Sequence, residues 1–286
     1  MSAPDNREGA VNRMSKVMVV TSGKGGVGKT TTSASLGSAL AQAGQNVVVV
    51  DFDVGLRNLD LVLGAERRVV FDLVNVVQGD AKLAQALIKD KRIDTLSLLA
   101  ASQTRDKDAL TEEGVKSVID ELRGKFDWII CDSPAGIEKG AMLAMRFADL
   151  AVVVTNPEIS SVRDSDRIIG MLDSKTLRAE NGETFEKHLM LTRYNPARAT
   201  RGEMLGVDDV LDILAIPLLG IVPESTDVLN ASNLGCPVTL HNPASTAARA
   251  YADAARRLLG ETVEITTPVE KQQGLFGKLF GRKAVA

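Results

Sequence analysis

The chain of 286 residues and 30.5 kDa is 44% apolar and 25% charged, a balance that supports a sizeable core and excludes a disordered chain. Aromatic residues make up only 3%, and a net charge of −3 with pI near 5.6 argues against stacking-based or broadly basic nucleic-acid binding. No apolar run approaches the ~18–20 residues of a membrane span, the first fifteen residues lack the hydrophobic core of a signal peptide, and two cysteines (Cys131 and Cys236) are too few for a disulfide framework or zinc cage, so a cytoplasmic location is expected.

Residues 1–14 read as a flexible extension ahead of the first strand. Strand-length apolar runs then recur at 17–20, 47–50, 96–100, 128–131, 150–154, 189–191 and 218–222. They are rich in Val, Ile and Leu and do not alternate with polar residues, the pattern of strands buried on both faces. The intervals between them are long enough for crossover helices. Helix-compatible patterns occupy 29–43, 110–123, 160–173 and 244–259, and Gly44 and Gly124 stand at expected helix ends. The spacing predicts one α/β doubly wound domain over residues 15–260, with a mainly parallel sheet of about seven to eight strands and helices on both faces. Residues 261–273 are polar, contain Pro268 and read as a linker.

After the first run comes Gly23-Lys24-Gly25-Gly26-Val27-Gly28-Lys29-Thr30, which satisfies G-x-x-x-x-G-K-[ST]. The glycines let successive backbone N–H groups point at phosphate oxygens, and the following helix, which takes in Thr31, presents its positive end. Lys29 is expected to bridge the terminal phosphates and the Thr30 hydroxyl to ligate Mg²⁺. Asp51 and Asp53 follow the second strand, and Asp132 ends the strand WIICD. All three acids fall at the carboxyl ends of strands, where open parallel sheets bind ligands. Asp53 and Asp132 are candidates for the metal, Asp132 through water or a neighbouring ligand.

Charge concentrates at the end of the chain. Residues 271–286 carry four basic residues and no acidic one, so the preceding 270 residues sum to −7. At about 100° per residue, Leu275, Phe276, Leu279 and Phe280 fall within one arc of a helix, flanked by Lys278 and Arg282, with glycines opposite. A short amphipathic helix of this kind suits an anionic membrane surface. One such tail, short and glycine-rich, binds weakly, whereas two joined by dimerisation gain from effective concentration.

The stretch Lys24 to Thr30 resembles the deviant phosphate loop of the MinD/ParA class of P-loop ATPases. The segments DFDVGLRNLDLVLG (51–64), ERRVVFDLVNVVQGDA (66–81), ASQTRDKDALT (101–111), CDSPAGIEKGA (131–141), TNPEISSVRDSDRI (155–168) and LTRYNPAR (191–198) extend the resemblance to the septum-site-determining members of that class. It covers about residues 15–260 and the tail. The resemblance implies a P-loop NTPase fold, ATP and Mg²⁺ as cofactors, and hydrolysis gated by an ATP-dependent homodimer in which Lys24 reaches the partner's nucleotide. It implies that Asp53 orients the attacking water, that Asn58 senses the terminal phosphate at the dimer interface, and that Asn195, Pro223 and Glu224 surround the adenine. Asp164 is placed at the edge that meets a MinC-like division inhibitor and a MinE-like ATPase-stimulating factor. The implied location is cytoplasmic, peripheral on the cytoplasmic face of the membrane, with anionic lipids as partners and no specific nucleic acid. A ParA-like DNA-partitioning ATPase is the alternative; it calls for a basic DNA-binding patch, which the acidic body does not favour.

Overall fold

The computed structural model describes residues 15–105 and 109–268. The expected extension at 1–14 and the amphipathic segment at 274–286, with Leu275, Phe276, Lys278, Leu279, Phe280 and Arg282, lie outside the described residues.

Eight strands form one sheet: β1 (Lys16–Thr21), β2 (Val47–Asp51), β3 (Ile88–Lys89), β4 (Leu96–Leu99), β5 (Trp128–Asp132), β6 (Leu150–Thr155), β7 (Glu186–Tyr194) and β8 (Leu218–Pro223). Their order is β3-β4-β2-β5-β1-β6-β7-β8. Every pairing is parallel except β3 with β4. Seven strands coincide with the expected apolar runs. The eighth, β3, has two residues and is too short to leave a periodic signature.

The helices are α1 (Lys29–Gln42), α2 (Leu59–Val62), α3 (Leu73–Gln78), α4 (Leu83–Ala86), α5 (Glu112–Arg123), α6 (Lys139–Arg146), α7 (Ile159–Lys175), α8 (Leu177–Glu180), α9 (Pro196–Thr200), α10 (Val207–Leu214), α11 (Thr226–Asn233), α12 (Val238–His241) and α13 (Thr246–Leu258). The four expected helices correspond to α1, α5, α7 and α13. The others are mostly one or two turns long and begin at caps such as Asp72, Asn195 and Ser225 rather than within a sustained apolar period. After α1, Gly44 adopts φ +83, the left-handed stop its position predicts, whereas Gly124 caps α5 in a right-handed conformation.

Alternate residues of each central strand enter opposite layers. Val17 and Val19 join Ile119, Leu143, Val162 and Leu214 from α5, α6, α7 and α10. Met18 and Val20 join Leu36, Leu40, Tyr251 and Ala254 from α1 and α13. This two-sided burial explains the unbroken Val-rich runs, since a polar residue at either parity would enter a core. Each fully buried Val or Leu contributes about 1.5–3 kcal/mol of transfer free energy.

Residues 261–268, within the stretch expected as a linker, have no regular secondary structure but are held to the body. Arg257 donates from Nε to the Val263 carbonyl at 2.8 Å, from Nη2 to the Glu264 carbonyl at 2.6 Å and from Nη1 to the Leu219 carbonyl at 2.8 Å. Ile265 packs against the core. Among the described residues no helix is long and apolar enough to cross a membrane. Replacement Arg257→Gln removes most of this clamp. A glutamyl protease should then cut after Glu264 several-fold faster than in the wild-type chain, with the cut mapped by mass spectrometry. Equal rates would show that Arg257 does not hold the segment.

Candidate functional site

The site is assembled at the carboxyl ends of β1, β2, β5, β6, β7 and β8. Between β1 and α1 the chain turns through Gly26 at φ +75 and Gly28 at φ +99, conformations that side chains other than glycine rarely adopt. A Cβ on Gly25, Gly26 or Gly28 would meet nothing within 4 Å, so the crest of the loop is open. The N–H groups from Gly25 to Thr30 make no hydrogen bond among the described residues. A row of unpaired donors at a helix start is suited to oxyanions.

Lys29, in the first turn of α1, is buried and donates to Ser22 Oγ at 3.0 Å; that hydroxyl in turn donates to the Lys24 carbonyl at 2.7 Å. Burial lowers the Lys29 pKa, with the charges of Asp132 and Asp53 acting in the opposite direction. Thr30 and Ser33, one turn along α1, both reach Asp132: Ser33 Oγ donates to its Oδ1 at 2.8 Å, and the Thr30 hydroxyl bonds the same carboxylate. Asp132 and Asp51 stand opposite each other in the β2–β5 register. Asp51 is fully buried and accepts from the Asp53 N–H at 2.9 Å and the Leu59 N–H at 3.3 Å. Its carboxylate therefore shapes the turn that carries Asp53, which is half-buried. Asn58, beyond that turn, is exposed at the start of α2.

Lys24 points away from its own cradle. Its ammonium donates to Ser160 Oγ at 3.0 Å and pairs with Glu158 Oε2 at 3.4 Å, and its side chain is 42% exposed. The adjacent Gly23 is in close contact with α7, where a Cβ would lie 2.2 Å from the Asp164 backbone. The half-buried Asp164 thus sits directly against the phosphate loop. On the far side, Asn195 caps α9, accepting from Arg198 N–H at 3.2 Å, and donates from Nδ2 to Glu224 Oε2 at 3.1 Å. Tyr194 pairs with Pro223 across β7 and β8 and its carbonyl accepts from Glu224 N–H. The three residues expected around the base are therefore neighbours.

Ser22, Ser33, Glu158, Ser160 and Thr192 were not among the expected site residues. Ser33 had a local signal, its spacing one turn after Lys29 and Thr30. Glu158 and Ser160 lie within a segment that the family resemblance marked, but nothing local assigned them to Lys24. Thr192, which donates to the Val27 carbonyl at 2.7 Å across 165 positions, had no local signal.

Electrostatics dominates this end of the sheet. Burial, followed by the charge of Asp132, drives the Asp51 carboxyl well above the usual range. Asp132 is pushed up to about 6, mainly by burial, with Ser33, Thr30 and Lys29 opposing. Unfolding releases the proton that Asp132 retains, so this group makes stability fall as pH rises between about 4 and 6, and the loss persists above that window. In nucleotide-free protein, Asp132→Asn should raise stability at pH 8 by about 1–2 kcal/mol, with the difference from wild type vanishing near pH 4. Chemical denaturation at both pH values measures it. A variant less stable than wild type at pH 8 would contradict the burial penalty.

The geometry agrees with comparisons to known proteins. A family model for the CobQ/CobB/MinD/ParA nucleotide binding domain matches residues 18–238. The chain is 60% identical over 271 residues to the septum site-determining protein MinD of Neisseria meningitidis, a match covering 94% of this chain and all of that protein. It superimposes on a chain of the MinC:MinD cell division protein complex of Aquifex aeolicus with TM-score 0.80 and 41% identity, over 88% of this chain and 99% of that one. The septum site-determining protein MinD complexed with Mg-ADP from Pyrococcus horikoshii matches with TM-score 0.76 and 32% identity, over 86% and 96%. With the phosphate loop, the sheet order and these similarities in agreement, the chain belongs to the MinD/ParA family of nucleotide-binding domains.

Proposed function

We propose that this protein is a Mg-ATP-dependent ATPase switch that dimerises around nucleotide, binds the inner membrane surface through residues 274–286 and helps place the division septum. The observation that carries the reading is the position of Lys24: outside its own cradle, held among the described residues by an exposed serine–glutamate contact. Exposed pairs are worth about 0–1 kcal/mol, so Lys24 can be transferred to a second subunit at little cost.

The loop N–H groups and Lys29 bind the phosphates and neutralise their charge. Lys24 from the opposing subunit supplies the cation that completes this neutralisation, so hydrolysis waits for dimerisation. Asp53 orients the attacking water, and Asn58, exposed beside it, senses the terminal phosphate across the interface. Asn195, Pro223 and Glu224 hold the adenine. The donor set fits Mg²⁺, which prefers oxygen ligands and is usually completed by substrate phosphates and water; Thr30 would hold it directly and Asp132 through water. Among the described residues no cluster of three or more His, Cys, Asp or Glu forms a metal cage, in keeping with a metal that arrives with the nucleotide. When bound, Mg²⁺ offsets charge on the terminal phosphates.

The MinC:MinD complex of Aquifex aeolicus supports a MinC-like inhibitor as a partner here. Asp164 on α7 and a MinE-like stimulating factor complete the proposed assembly, with hydrolysis releasing the protein from the membrane to the cytoplasm.

Full-length protein should co-sediment with anionic liposomes in Mg-ATP but not in Mg-ADP, and a chain ending at Gln273 should bind in neither. A full-length protein that ignores liposomes in both nucleotides would remove the membrane function and favour a DNA-partitioning role. Replacement Lys24→Ala should lower ATP turnover at least 100-fold while leaving Mg-ADP binding within about threefold, as expected for a group acting on the opposing subunit's nucleotide. Unchanged turnover would refute the gating.

A further inference from the structure

Strand β7 contacts the phosphate loop from behind. Thr192 is buried, and its Oγ1 lies 2.7 Å from the Val27 carbonyl, 3.0 Å from Asn156 Oδ1 and 3.3 Å from the Thr155 carbonyl. A hydroxyl has one proton to donate, and the shortest of these contacts is to Val27. The Val27 side chain is itself buried in the core, which anchors that end of the peptide.

The Val27–Gly28 bond is trans, as are all described peptide bonds. In a trans peptide the carbonyl and the following N–H point in opposite directions. Holding the Val27 carbonyl against β7 therefore turns the Gly28 N–H away from β7, on the open side of the loop. That N–H makes no hydrogen bond among the described residues, and a Cβ on Gly28 would meet nothing within 4 Å.

The backbone around Thr192 is irregular. Pairing between β7 and β8 slips between Leu191 and Tyr194, and Arg193 adopts φ +53. A non-glycine residue in this conformation is strained, and bulges of this kind re-aim side chains near functional sites. The irregularity lies between Thr192, which bonds the loop from β7, and Asn195, in the proposed base-binding group.

We propose that Thr192 is a positioning residue for the phosphate cradle: its hydroxyl fixes the Val27–Gly28 peptide so that the Gly28 N–H is presented to phosphate. The inference rests on the nucleotide-binding reading above. It adds that one strand sets both the phosphate end and, three residues on, the base end of the ligand.

The test is titration calorimetry of the full chain with Mg-ADP, using wild type, Thr192→Val and Thr192→Ser. Valine keeps the shape and removes the donor; serine keeps the donor. Thr192→Val should weaken Mg-ADP at least tenfold, the scale of one hydrogen bond to a charged group, and Thr192→Ser should stay within about threefold. Thermal melting without nucleotide separates this from a packing role, which would lower the melting temperature without a difference in affinity that serine rescues. Should Thr192→Val not fold, Thr192→Ala is read in the same way. Wild-type affinity in the donor-less variants, or an equal loss in the serine variant, overturns the proposal. Absence of Mg-ADP binding by wild type would instead overturn the nucleotide reading itself.

Discussion

Two carboxylates facing each other inside a protein are costly, and the architecture of this site follows from that cost. Asp51 and Asp132 end neighbouring strands in register, and neither forms a salt bridge among the described residues. In a low-dielectric interior both cannot ionise cheaply, so each resists losing its proton. The surrounding groups moderate the cost without removing it. Ser33 and Thr30 bond Asp132, two backbone N–H groups bond Asp51, and the Lys29 ammonium is close enough for Asp132 to counter part of its own burial penalty. The result is a site with closely spaced carboxyl groups at its floor and, among the described residues, unpaired N–H donors at its rim. Such an arrangement suits a cation and an anion together, which is the form of a metal–nucleotide complex.

The phosphate loop was legible in the sequence because its chemistry is local: eight consecutive residues provide the curl, the cation and the hydroxyl. The central strands were legible for a different reason, since burial on both faces leaves an unbroken apolar run. What could not be read are contacts between distant parts of the chain. Lys24 meets Glu158 and Ser160 across more than 130 positions, and no local rule pairs a glycine-loop lysine with a helix start. As strand-end acids Asp51 and Asp53 looked alike, and the family resemblance alone singled out Asp53. The structure separates them: Asp51 is buried and braces the turn, while Asp53 is half-buried on the turn that it braces. Short elements such as α2, α4 and β3 were missed because fewer than five residues cannot display a period.

Helix α7 packs directly against the phosphate loop. Gly23 packs so closely on the Asp164 backbone that no other residue fits without displacing one of them. The next residue, Lys24, is bonded to the first turn of the same helix. The Gly23 contact is close-packed, whereas the Lys24–Glu158 pair is exposed and electrostatic, so salt would weaken only the second.

The margins of the sheet carry a further consequence. One edge ends in the two-residue strand β3, antiparallel to its neighbour β4. At the other, Arg257 occupies the Leu219 carbonyl, and Ile265, Thr266 and Pro268 lie across Gly220, Ile221 and Pro223 around a cavity of about 350 Å³. Open strand edges invite uncontrolled addition of further strands. Here one edge is too short to serve as a template and the other is screened by the protein's own chain. A mainly parallel sheet of eight strands can thus be kept at high local concentration with little tendency to grow by edge-to-edge aggregation.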